Sequence, residues 1–476
     1  MSKVNFSWWK KACAALLLSA TTAIALPAQT FTTLVNFDGT NGFNPTPAPL
    51  VQGTDGNLYG TTLFGGANQA GTVFKLTPSG TLTTLYSFCA QPGCADGNYA
   101  YAGLLLGTDG SFYGATILGG AIVSGTFGYG TIFRITPDGT LTTLHSFDYT
   151  DGAYPYAGLI QAADGAFYGT TNRGGTSDTC GSNGCGTVFR ITSGGTLTTL
   201  HNFDYTEGIE PGALIQASDG NFYGATAMGA GVGGYGTVFK ITSAGALTTL
   251  HRFAGYPTDG TNPSALIQAT NGSFYGTTSQ GGASDCQCGT VFKITSTGTL
   301  TTLVSFDGPD GSMPLAALVQ AGDGDFYGTT SKGGANGYGT VFKITSEATL
   351  TTLHSFDGTD GSNPPGGLVE ASNGTFYGTT FVGGTDSDGT VFSLPGPTVL
   401  VLPTAGAVRQ RVLILGIPGT TLAGATSVTF NGTPATFTVL TPSLIRTSVP
   451  AGATTGFVFV VTPTGTLRSK VEFRVP

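Results

Sequence analysis

Seven copies of one phrase constrain what this chain can fold into. The run (F/L)YG(T/A)T recurs with its tyrosine at Tyr59, Tyr113, Tyr168, Tyr223, Tyr275, Tyr327 and Tyr377. A second run, GT(V/I)F, follows each copy and ends at Phe74, Phe133, Phe189, Phe239, Phe292, Phe342 and Phe392. The spacing of 50 to 59 residues is that of a repeat architecture, in which each unit buries its apolar surface against the next.

One unit reads clearly over residues 314–356. LAALVQA is a short apolar strand, GDGD a hairpin turn and FYGTTS a second strand. The glycine-rich loop KGGANGYG leads into a third strand, TVFKITS, and TLTTLHSF is the fourth. Four antiparallel strands in about 50 residues make a β-propeller blade. TVFKI carries apolar residues on both faces, as a blade held between two neighbours requires.

The phase of the repeat adds a closure. The seventh unit ends at GTVFSLPGP (Gly389–Pro397) without a fourth strand, while TFTTLVNF (Thr30–Phe37) precedes the first unit. The expected fold is therefore all-β, a seven-bladed propeller whose N-terminal strand completes the last blade and leaves no open sheet edge. With 77 Gly and 9% charged residues, the composition suits short strands and tight turns. The net charge of −8, without a Lys/Arg run, disfavours a nucleic-acid partner.

Residues 1–28 read as a secretory signal: three lysines lead into ACAALLLSATTAIAL, and small residues follow at Ala23, Ala25 and Ala28. No other segment approaches the length of an apolar membrane span. Cys13 falls inside the signal. The remaining cysteines form three close pairs, Cys89/Cys94, Cys180/Cys185 and Cys286/Cys288, which in an oxidising compartment are candidate disulfides within the variable loops. The pairs lie in different repeats with no His beside them, so a metal site is not expected.

The units resemble the GloVer tandem repeat of exported bacterial proteins, most clearly at GGANGYGTVFKITSEATLTTLHSFDGTDGSNP (Gly333–Pro364). The resemblance implies an exported or surface protein and brings no biochemical activity with it. It spans a propeller domain at 29–394, followed by a linker at 395–397. Residues 398–476 look like an IPT/TIG-type immunoglobulin-like β-sandwich, on the phrases TSVTFNGTPATF and VPAGATTGFVFVVTPTG. Such domains serve as spacers or interaction modules in surface proteins, and fold analogy alone assigns no ligand.

In a propeller of this phase the longer connections share one face, and that face is the candidate binding surface. Its recurrent acids are Asp38, Asp148, Asp204, Asp307 and Asp357 after the fourth strand, with Asp96, Asp151, Glu207, Asp259, Asp310 and Asp360 further on. One reading is a ring of acids for Ca²⁺ or sugar hydroxyls. The favoured reading is turn chemistry, with Asp accepting backbone N–H groups beside a Gly. His145, His201, His251 and His354 share one repeat position, which argues for framework and against a Ser-His-Asp site.

The resulting expectation is a secreted, periplasmic or cell-surface protein that binds glycans or proteins without catalysis and needs no cofactor. A polysaccharide-active enzyme using two loop-face carboxylates, and a purely structural role, are the alternatives.

Overall fold

The computed structural model describes residues 31–121, 128–230, 233–396, 398–416, 421–463, 465–469 and 471–476; the expected signal at 1–28 lies outside them. Seven antiparallel sheets succeed one another along the chain, followed by one larger sheet. In the sixth blade the strands are Val319–Gln320, Phe326–Thr330, Thr340–Ile344 and Leu350–Ser355, hydrogen-bonded in that order. The fold is all-β, a seven-bladed propeller of four-stranded blades.

The ring closes as the phase requires. Thr32–Asn36 pairs antiparallel with Thr390–Pro395, setting Thr32 opposite Ser393 and Asn36 opposite Thr390. Phe37 packs with Leu58, Phe74 and Leu76 of the first blade and with Tyr377 and Val391 of the last. Each of the six other blade junctions has its own buried cluster as well. The core is thus distributed between blades.

The repeated letters are the contacts of that core. In six copies of (F/L)YG(T/A)T the tyrosine packs on the Phe of the next blade's copy, Tyr275 stacked on Phe326 at 4.1 Å and Tyr59 tilted on Phe112 at 4.1 Å. The glycine leaves room for the Phe of GT(V/I)F: a Cβ on Gly276 would stand 2.6 Å from Phe292 Cζ. The final Thr meets the Thr of GT(V/I)F hydroxyl to hydroxyl, at 2.9 Å for Thr62 with Thr72 and 2.8 Å for Thr330 with Thr340.

The inner strand differs from the expectation. LAALVQA contributes only Val319–Gln320 to the ladder. Upstream of it the carbonyls are taken by the preceding blade, since the Thr277 hydroxyl donates to Ala316 O and that of Thr329 to Gly366 O. Ala48 crowds Gly103 in the next blade so closely that a Cβ there would lie 2.3 Å from it. Short range and competing donors leave two residues for pairing.

After the propeller, Thr398–Leu402, Arg411–Gly416, Ser427–Phe430, Thr433–Pro434, Phe437–Thr441, Leu444–Ser448, Val458–Thr462 and Gly465–Ser469 form one eight-stranded sheet. Thr398–Leu402 joins its two halves by parallel pairing to Gly465–Ser469. One cluster including Val401, Ile414, Phe430, Ile445, Val460 and Phe473 fills its concave side. Where two packed sheets were expected, the segment forms one continuous half-barrel sheet around a single core.

Candidate functional site

The loop-face acids are held by the loops that carry them. Asp148 Oδ1 accepts the Thr150 N–H at 2.9 Å, the Thr150 hydroxyl at 2.7 Å and the Asp151 N–H at 3.1 Å. Asp151 returns one bond to the Asp148 N–H at 3.0 Å, and its other oxygen lies 2.7 Å from His145 Nε2. Asp357, Asp360 and His354 repeat this arrangement, as do Asp204, Glu207 and His201. Asp259 accepts the Ala254 and Gly255 N–H groups and meets His251 at 2.9 Å, while Asp96 accepts the Tyr86 hydroxyl at 2.8 Å. Asp38 accepts the Thr40 and Asn41 N–H groups.

Side-chain donors hold several of these carboxyls below their usual range, the Thr150 hydroxyl first for Asp148 and the Thr359 hydroxyl first for Asp357. The connection after the fifth blade breaks the series. There Val304 stands where four blades have His, and Asp307 and Asp310 bond each other's N–H, at 3.0 and 3.2 Å. Burial pushes the Asp310 carboxyl up to about 6. The pairing of His with the second acid was present in the sequence as a constant spacing of six residues in three blades, and eight at His251.

The three cysteine pairs are bonded as expected, Cys89 to Cys94, Cys180 to Cys185 and Cys286 to Cys288. They lie in the variable loops, and the second cysteine of every pair, Cys94, Cys185 and Cys288, is buried. Cys185 and Cys288 stand directly before the GT(V/I)F strand, which draws them into the cores between blades: Cys185 joins Val188, Phe203 and Leu214, and Cys288 joins Val291, Phe306 and Leu318. Cys94 is pulled in by its backbone, whose carbonyl accepts the Gly97 and Gly120 N–H groups at 2.9 Å each. These sulfurs therefore anchor the loops to the blades and offer a ligand no contact.

One bridge borders a cavity of about 420 Å³ lined by Tyr149, Tyr154, Tyr156, Asn172, Arg173, Ser182 and Asn183. Ser182 and Asn183 belong to the loop closed by Cys180–Cys185, and the Tyr149 hydroxyl donates to the Ser182 carbonyl. Arg173 is paired to Glu210 at 2.5 Å. Tyr129 buttresses Tyr149, and Tyr101 buttresses Tyr156, both edge to face.

Two of the lining tyrosines stand where the backbone disfavours them. Tyr149 has φ 79° at the position filled by Gly308 and Gly358 in two later connections. Tyr154 has φ 56° at a position filled by Asn44, Asn262 and Asn363 elsewhere. Left-handed backbone suits Gly and Asn and costs a bulky residue of order 1 kcal/mol or more, a cost that persists where the side chain has use. Exposed Tyr205, Tyr235, Tyr256 and Tyr338 extend aromatic surface along neighbouring blades.

The opposite face, carrying the hairpins, is more uniform. Asp55 accepts the Tyr59 hydroxyl at 2.9 Å and lies 2.7 Å from Lys75 Nζ. Asp109 with Arg134, Asp164 with Arg190, Asp219 with Lys240 and Asp323 with Lys343 repeat the ion pair. Its signal in the sequence is an Asp four residues before the tyrosine in five blades. A Gln of the inner strand ties neighbouring hairpins together: Gln320 Oε1 accepts the Thr270 N–H at 2.9 Å, and Gln52 closes the ring on Ser372 at 2.7 Å.

Among the described residues no group of three or more His, Cys, Asp and Glu side chains is placed to hold a metal ion, and no helix is long and apolar enough to cross a membrane.

The Gloeobacter/Verrucomicrobia repeat matches residues 20–181 and 175–392. A search of curated proteins finds no match. Among solved structures, PorZ, a surface component of the type-IX secretion system of Porphyromonas gingivalis, is 15% identical over 93% of this chain and 60% of its own, with a TM-score of 0.47. A putative 6-phosphogluconolactonase from Bacteroides uniformis is 15% identical over 65% of this chain and 84% of its own, TM-score 0.43. A gluconolactonase from Xanthomonas campestris is 14% identical over 79% and 93%, TM-score 0.39.

Proposed function

The chain belongs to the Gloeobacter/Verrucomicrobia repeat family, and from that premise we propose that it is an exported, non-enzymatic protein whose loop face binds glycans at or beyond the cell surface. The observation that carries this reading is the tyrosine-lined cavity, where two aromatic side chains are kept at left-handed positions beside a disulfide-closed loop. Flat aromatic faces pack against the C–H faces of a pyranose, and Asn172 with the loop carbonyls offers hydroxyl partners. Burial raises the Tyr149 and Tyr156 hydroxyls, so both remain neutral donors across the physiological range.

The export reading is supported by the three disulfides, which persist in oxidising compartments. Residues 1–28 are the proposed signal, 29–394 the propeller domain, 395–397 the linker and 398–476 an IPT/TIG-like spacer of immunoglobulin type. The loop-face acids, from Asp38 to Asp360, are proposed to shape this face rather than to react. Their oxygens are engaged within their own turns, which also weighs against a Ca²⁺ role.

A neutral oligosaccharide array read with the mature protein tests the proposal. A hit lost in both Tyr154→Ala and Tyr149→Gly, each melting no lower than the wild type, is the expected result. A blank array overturns the glycan reading, as does a hit indifferent to both changes. Hydrolysis of a polysaccharide abolished by one acid substitution would favour the enzymatic alternative.

A further inference from the structure

A second cavity, of about 470 Å³, lies between the hairpins of the last three blades and the C-terminal sheet. Thr270, Gln320, Glu370 and Ser372 line it from the propeller, and Phe459 and Arg468 from the sheet. Its size suits a small molecule. Several residues here depart from the repeat.

The first departure is a cation. On the hairpin face a Lys or Arg of the third strand sits over the hairpin and its tyrosine in six blades. The seventh has Ser393 at that position and Asn373 in the turn, where five other blades have Asp. Arg468 approaches instead from the C-terminal sheet, packed against Gly374 and over the Phe457 ring at 4.4 Å. Its Nε is buried without a hydrogen-bond partner. A half-buried guanidinium with one orphaned N–H is a donor open to a partner of opposite charge.

The second departure is an acid. Five blades carry Gln at the inner-strand position represented by Gln320, and the seventh carries Glu370. The Gly322 N–H donates to it as the Thr270 N–H does to Gln320, but burial, with Asp323 nearby, pushes its carboxyl up to about 7. Near neutral pH it therefore both donates and accepts hydrogen bonds, as a hydroxyl-bearing ligand requires. Phe459, Ala321 and Ala371 supply the apolar part of the wall.

We propose that this cavity binds a small hydroxylated carboxylate, a sugar acid of hexuronate size, with its carboxylate on Arg468 and its hydroxyls toward Glu370 and Ser372. The guanidinium supplies a planar donor set matched to a carboxylate. Glu370 remains neutral in the complex at mildly acidic pH. Deprotonation sets a second negative charge in the cavity, so affinity weakens as pH rises through 7.

Titration calorimetry of the full mature protein with D-glucuronate, D-glucose and acetate, at pH 6 and pH 8, tests this. At pH 6 glucuronate binds more tightly than either reference, and in wild type its affinity falls about tenfold by pH 8. Arg468→Met costs at least about tenfold at pH 6. Glu370→Gln, which copies the other blades, keeps binding at pH 6 and removes the fall at pH 8. The proposal is overturned if glucuronate binds no better than glucose, or if R468M binds as wild type. If R468M melts early, E370Q decides alone, and an unchanged pH response in that variant also overturns it. Tyr154→Ala leaves glucuronate binding intact, which separates this site from the loop-face cavity.

Discussion

The two faces of the ring are built from the same seven turns, yet they differ in how far they depart from the repeat. On the hairpin face, Asp, Tyr and a cation recur in register, and Gln side chains of five blades tie a turn to its neighbour. On the loop face, the acid and backbone pairings recur too, but between them lie disulfides, displaced tyrosines and cavities. A side chain present once per blade serves the blade; a side chain that breaks the series is the one to question. By that standard Tyr149 and Tyr154 mark one face, and Arg468 with Glu370 the other.

The comparison can be broken by changes aimed at what both faces share. Removing residues 31–37 takes away the outer strand of the last blade and Phe37 from the closing core. Both faces should lose their order together, with a fall in melting temperature well above ~10 °C or aggregation through the exposed edge. An unchanged melt would mean that the ring holds without its clasp. Gly276→Ala sets a Cβ against Phe292 inside one blade, and overpacking of this kind costs about 1–3 kcal/mol by denaturant titration. A neutral result would mean that the ring of Phe292 is free to shift.

A smaller change sharpens the contrast within the loop face. Because the Asp310 carboxyl is raised above its ordinary 3.8, the folded state holds its proton more tightly than the unfolded chain. That part of the stability is present below about pH 4 and is lost as pH climbs to about 6. Asp310→Asn, which copies Asn41 at the same repeat position, should abolish the loss and leave the variant more stable at pH 8 by up to about 1 kcal/mol. Urea titrations at pH 4.5 and 8 read the difference. Equal stability of the two proteins at pH 8 would show that solvent already compensates the charge.

The ring, its blade count and its closure were legible because the sequence states the same pattern seven times, and each statement corrects noise in the others. The cysteine pairing was legible from proximity alone, but the burial of Cys94, Cys185 and Cys288 was not, since spacing reports who can bond and says nothing of which sulfur faces the core. The sequence overstates the inner strand because hydrophobic letters report burial, and residues such as Leu318 are buried without sharing the ladder. Tyr149 and Tyr154 are single-letter departures from the repeat, and only their backbone angles show what their retention costs. Arg468 could not be read at all. Its meaning depends on a sheet encoded after the repeats coming to rest beside the one blade that lacks its own cation.

The strand that closes the ring also sets the order of events in its making. Thr385 N–H reaches Asn36 Oδ1 across 349 residues of chain, and the neighbouring ladder spans a similar separation. A chain that emerges N-terminus first must carry Thr32–Asn36 unpaired until the last blade has followed. Contacts so distant in sequence form slowly, since the intervening loop must be closed before they contribute. Until then the first and last blades each present a bare flank, and this waiting period, rather than the finished ring, is where such a protein is most exposed to wrong partners and to chaperone capture.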